Sequence, residues 1–171
     1  MPTCNSTALS EIFKSCDNNS GGILEFYLID QEDVTTVEVD VTGHTVTGLT
    51  ATTTFTTFEI RRNTASAAGA NPIDFANGST FFTNTITLMF HRREAAKSRA
   101  IQILGEGQRY LAAIYKDANG LYWYVDYLQL QSNDDTTGTA RADGSNYTTV
   151  LFGESEHSAY QIDSTLIPGL I

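Results

Sequence analysis

The sequence predicts a mostly β protein, an antiparallel β-sandwich or β-barrel with one flanking α-helix. Three observations lead there. Short runs rich in aromatic and β-branched residues alternate with Gly, Asn and Asp turn signals along most of the chain. Val37, Val39 and Val41 alternate with Glu38 and Asp40, the period of a strand with one buried face. Only one stretch, about residues 92–104, carries helical periodicity.

Taken in order, residues 1–22 read as an N-terminal arm, with a short helical turn from Leu9 to Lys14 before the loop chemistry of Cys16 to Gly22. Ile23 to Asp30 is an apolar run of strand length, a pattern that fits burial on both faces. The valine alternation follows, then a short strand after Gly43 and a long threonine-rich strand from Thr50 to Ile60. Residues 61–79 lose all periodicity. A loop of that length is uncommon in a compact domain and marks contacts with another chain.

Phe81 to Lys116 reads as strand, helix, strand. Ala96, Ala100, Ile103 and Leu104 give the helix an apolar stripe, and Arg92, Arg93, Lys97 and Arg99 its opposite face. Asp117 to Gly120 is a hairpin turn into the aromatic strand Leu121 to Leu128, and Asp143-Gly144 marks a later turn before the last strand. In the aromatic strand, alternation puts Tyr122, Tyr124 and Leu128 on one face, and Trp123, Val125 and Tyr127 on the other. The β domain thus covers residues 23–155, with 156–171 as a C-terminal extension.

Composition narrows the function. The chain of 171 residues is one domain, and 24 of them are threonine, which suits strand faces that meet water or a polar surface. A net charge of −10 argues against sequence-independent nucleic-acid binding, which needs clustered cations, but not against standing beside nucleic acid and repelling it. Cys4 and Cys16 read as reduced packing residues. The N-terminus has neither the cationic start nor the apolar run of a signal peptide, and no segment approaches the ~18–20 apolar residues of a membrane span. A protein without a membrane partner, made in a cytosol, is expected.

Chemistry is sparse. His44, His91 and His157 stand in no triad-like motif, and the carboxylate pairs lie in turns or on alternating strand positions. The Asp117–Gly120 and Asp143–Asn146 stretches start like calcium loops but lack the later ligands. Neither an enzyme nor a cofactor is expected. The cations Arg92, Arg93, Lys97 and Arg99 fit either a solvated helix face or pairing with acidic surface on a neighbouring copy, and Arg61 and Arg62 would serve the same use.

The order of features then matters. An arm ends in Cys16 to Gly22 and runs into the apolar strand and the valine strand. A meander with a long loop and a strand–helix–strand unit follows. The chain closes with the Asp117-Ala118-Asn119-Gly120 turn, the aromatic Tyr122 to Tyr127, then Thr137-Gly138-Thr139-Ala140 and Asp143-Gly144-Ser145-Asn146-Tyr147. This order resembles the tail tube proteins of tailed bacteriophages, over roughly residues 15–155. The resemblance implies a β-sandwich or barrel protomer with one flanking helix, assembled as hexameric rings that stack head to tail into a DNA-conducting tube. It also implies contacts with other tail proteins, a place in the virion tail after assembly in the host cytoplasm, and no catalytic residues.

An acidic wall would repel phosphate along the passage, which makes Glu38 and Asp40 the lumen-facing candidates, and Arg61, Arg62, Arg92, Arg93, Lys97 and Arg99 the subunit-interface candidates. A tail stopper or connector ring would share these features. The rival from another class is a monomeric carbohydrate-binding β-sandwich, with Trp123 and its neighbouring tyrosines exposed as a stacking platform.

Overall fold

The computed structural model describes residues 8–171. In chain order it contains β1 (Ile23–Asp30), β2 (Val34–Asp40), β3 (Thr45–Ala51), β4 (Thr56–Thr57), β5 (Ala65–Ala70), β6 (Ile73–Asp74), β7 (Ser79–Thr80), β8 (Phe82–His91), α1 (Ala95–Gly105), β9 (Leu111–Asp117), β10 (Tyr122–Thr136), β11 (Asn146–Ser155) and β12 (Tyr160–Ile162). The protein is mostly β, a curled sheet with one short flanking helix. Ten strands join that sheet, and β6 and β7 form a separate ribbon.

Strand β10 is the branch point. Its first half pairs β9 on one side and β12 on the other, and its second half pairs β11. Beyond β11 lie β8 and then β5; beyond β12 lie β3 and then β2; beyond β9 lie β1 and then β4. All these pairings are antiparallel except β12 with β3.

The layer β1–β9–β10 is buried on both faces, as the unbroken apolar run of β1 anticipates. Alternation sends Phe26, Leu28, Leu111, Ala113 and Val125 to a first core, closed by Ile86, Leu88 and Leu151 from β8 and β11 and by α1. Tyr27, Ile29, Ala112, Ile114 and Tyr124 face a second core, covered by Val46 and Leu49 of β3 and by Phe55. Fully burying the Leu, Ile, Val and Phe side chains among them stabilises by about 1.5–3 kcal/mol each.

Several expected elements differ. The described part of the arm, residues 8–20, contains no helical turn, and Cys16 is exposed rather than packed; Cys4 lies outside the described residues. Helix α1 starts at Ala95, so Arg92 and Arg93 precede it. It docks through Ile101 and Leu104, while Ala96, Ala100 and Ile103 stay exposed. Residues 61–79 are not a uniform loop, because β5 pairs along β8 from Ala65 to Ala70. Of the expected threonine-rich strand from Thr50 to Ile60, Thr50 and Ala51 close β3, and the rest forms only β4, two residues opposite Tyr27 and Leu28. The C-terminal residues are built into the body: β12 joins the sheet, and Ile167 and Leu170 plug the second core.

One irregularity sets the course of β10. Tyr127 has φ 51°, and the register with β9 shifts between Val125 and Leu128. The shift turns Leu128 into the first core beside Val125, away from the face of Tyr124 that simple alternation assigns it. Beyond it, Gln131 to Thr136 run exposed along β11 as a projecting hairpin.

Candidate assembly surfaces

The acidic candidates sit on a free edge. Val37 and Val39 of β2 pack against the second core, so Glu38 and Asp40 point to solvent from the opposite face. The Glu38 carboxylate lies over Gly48 of β3, where a side chain would come within 2.7 Å of it, and Asp40 accepts the Thr42 N–H at 3.0 Å. Neither has a cationic partner among the described residues. β2 pairs β3 alone and leaves its outer edge unpaired among the described residues.

The basic candidates divide. Arg61 and Arg62 are exposed in the turn before β5 and make no ion pair among the described residues. The other four are engaged within the chain. Arg92, in the left-handed region at φ 64°, pairs Glu94 at 3.1 Å. Lys97 lies 3.7 Å from the same carboxylate and donates to the His91 carbonyl at 2.8 Å. Arg93 pairs Asp135 on the projecting hairpin, and Arg99 pairs Glu106 at 2.8 Å. Exposed pairs of this kind contribute about 0–1 kcal/mol each, so their partners can be exchanged cheaply. The fold gathers Arg61, Arg92 and Lys97 with Glu59 and Glu94 around one polar cavity of about 370 Å³.

The aromatic strand is largely spoken for. Tyr124 is 1% exposed, and burial, then the nearby Asp126 charge, raises its phenol above the ordinary value. Trp123 is half-buried and donates its indole N–H to Asp117 at 3.0 Å, so it does not stand out as an open platform. Tyr122 donates to Glu25 at 3.0 Å, as do Tyr27 at 2.8 Å and Lys116 at 3.0 Å. Burial works to raise the Glu25 carboxyl, but these three donors outweigh it and hold the group below its usual range. Burial and the Glu25 hydrogen bond push Tyr27 up to about 12.

A second cluster joins residues that the sequence keeps far apart. His44 Nε2 lies 2.9 Å from Ser158 Oγ and 3.2 Å from the Ala159 carbonyl, and both His44 and His157 stack on Tyr160 at 4.3 Å. His157 Nε2 is 3.4 Å from Asp126 Oδ2, and that hydrogen bond raises its pKa against the opposing effect of burial. The Ser158–His44 contact has the parts of a nucleophile and base. No carboxylate orients the His44 ring among the described residues, so the triad logic is incomplete. The spacing of 114 positions left no local motif to find it by.

Among the described residues, no group of three or more His, Cys, Asp and Glu side chains is placed to hold a metal ion, and no helix is long and apolar enough to cross a membrane. No protein-family model, curated protein or solved structure matches the chain.

Proposed function

We propose that this chain is a virion structural protein that assembles with copies of itself into stacked, hexameric rings, forming a tail tube that conducts phage DNA without binding it specifically. One observation carries the reading: of the three strands on which the sheet's branches end, the two longer ones, β2 and β5, are each paired on one side only among the described residues, while β4 is two residues long. Free edges are a hazard in a monomer, and closing them against a neighbouring copy removes the hazard while building a ring. Strand β5 suits such pairing, because its Ala, Ser and Gly side chains let another backbone come close. Strand β2 adds Glu38 and Asp40, whose charge repels a phosphate backbone. Arg61, Arg62 and the exchangeable ion pairs around α1 supply charge for contacts with the next copy, and stacked rings would end on other tail proteins.

The test is the assembly state of the purified protein, read by light scattering and negative-stain imaging. Rings or open-centred tubes are the expected result. A particle that stays monomeric at every concentration, with measurable affinity in a glycan screen, would overturn the reading in favour of a binding module.

A further inference from the structure

Past Ala65, the inner face of β5 is uncovered. Ala65 is buried in the first core, yet Ala67 and Gly69, on the same face of the strand, are exposed. Opposite them stand Tyr115 and Trp123, with Asn84 at the bottom and Ala159 at one end, around a mostly apolar groove of about 270 Å³. A second hollow of about 220 Å³ shares Ala67, Tyr115 and Trp123 and continues the groove to Gly21 and Gly22, where the arm leaves the body.

Asn84 gives the mostly apolar groove a polar group. It is 7% exposed, and its side-chain amide makes no hydrogen bond among the described residues. The amide reaches the groove's surface, because Tyr124 Oη and Asp126 Oδ1 are the fully buried side-chain polar atoms left without a partner among the described residues. A free donor and acceptor side by side match one peptide group of an extended chain. Gly69 leaves the approach open, since a β-carbon there would sit 3.6 Å from Asn84 Oδ1.

The arm supplies the complementary chemistry. Leu9, Ile12 and Phe13 are 101%, 99% and 82% exposed and so touch little or nothing among the described residues. Three large apolar side chains within five residues are costly to leave in water. Ser20 N–H bonds Asn119, which fixes the arm's root, and the eight residues from there to Phe13 can span up to about 26–29 Å at full extension. That reach is enough to cross to another molecule.

We infer that the Leu9–Phe13 segment of one copy docks in the Ala67–Asn84–Trp123 groove of a second copy. The inference rests on the assembly reading above in needing a second copy. Each molecule then offers one arm and one groove, a head-to-tail contact that extends along a stack or closes a ring.

Trp123 is the only tryptophan in the chain and lines the groove, so its emission reports occupancy. The probe is a synthetic peptide of residues 8–17, titrated into full-length protein whose own arm carries Leu9→Ser, Ile12→Ser and Phe13→Ser. The expected result is a saturable blue shift of the Trp123 emission, lost when Gly69→Leu fills the groove in protein whose circular dichroism is unchanged. No shift up to millimolar peptide, or an equal shift in the filled variant, would overturn the docking. If the peptide fails while rings still form, the docking alone falls. Peptide binding by a chain that never forms rings supports the docking and counts against the tube.

Discussion

Gly153 is the position at which one added carbon should do the most harm. It faces Leu128 across the β10–β11 ladder, beside the Tyr127 irregularity. A β-carbon there would lie 2.7 Å from the Tyr127 carbonyl oxygen, 3.1 Å from its carbon and 3.2 Å from Leu128 Cα. All three are backbone atoms, so no side chain can swing aside. The two strands must separate by several tenths of an ångström, which strains the ladder and the first core behind Leu128. Overpacking of a fitted interior costs about 1–3 kcal/mol, and at this chain length each kcal/mol lowers Tm by about 2–4 °C. Gly153→Ala should therefore lose about 2–3 kcal/mol in urea denaturation and melt about 4–12 °C lower. Gly69→Ala is the matched control: its nearest neighbour would lie at an ordinary 3.6 Å, and alanine reduces the entropy lost on folding. Gly69→Ala should be neutral or slightly stabilising. If Gly153→Ala unfolds within about 0.5 kcal/mol of the parent, the close approach does not exist and the described course of β10 is wrong.

Three further outcomes follow from the charged groups. Glu25→Gln removes the acceptor that Lys116, Tyr27 and Tyr122 share; screening at this partly exposed site limits the loss to about 1 kcal/mol. Because the folded carboxyl is depressed, its contribution is present above its unfolded pKa and lost as pH falls through the folded one. The gap between parent and variant in urea should accordingly close under acid conditions. His157 behaves in the opposite sense: its raised pKa gives stability that is full below its unfolded pKa and fades as pH rises through the folded value. His157→Asn should flatten that part of the stability–pH curve, and an imidazole NMR titration midpoint for His157 below 6.5 would refute the assigned Asp126 contact. Glu38→Lys with Asp40→Lys should leave the melting temperature nearly unchanged, since both side chains are exposed; on the tube reading proposed above, it should also make the assembled protein retain DNA in a low-salt sedimentation assay.

Legibility in the sequence followed burial. The apolar run from Ile23 to Asp30 announced a doubly buried strand because both of its faces need apolar partners. The turns at Asp117–Gly120 and Asp143-Gly144 were legible because their side chains cap their own backbone: Asp117 accepts the Asn119 and Leu121 N–H groups, and Asp143 those of Thr139 and Ala140. Strand β5 was hidden because Ala, Ser and Gly have low strand preference, and only pairing with β8 makes them a strand. The α1 stripe was misplaced because alanines fit either face, so Ile101 and Leu104 decided it by volume. Leu128 was assigned to the wrong face because period-two counting cannot foresee the irregularity at Tyr127. The Glu25 and His44–Ser158 clusters join residues across about a hundred positions, and no local spacing encodes such contacts.

The doubly buried layer also sets an order of events during synthesis. Strand β1 emerges early, yet its partner β9 follows about 80–95 positions later, a long loop to close and a slow step in folding. The two free edges depend on still later residues. Strand β5 is tied to the sheet through β8, which needs β11, and β2 is tied through β3, which needs β12. Both edges therefore gain their support within the sheet only once residues 146–162 have folded back across the molecule. On the assembly reading proposed above, a nascent chain that stalls before Asn146 lacks the strands that hold either edge in the sheet. On that reading, synthesis of β11 and β12 is what makes a copy competent to join its neighbours.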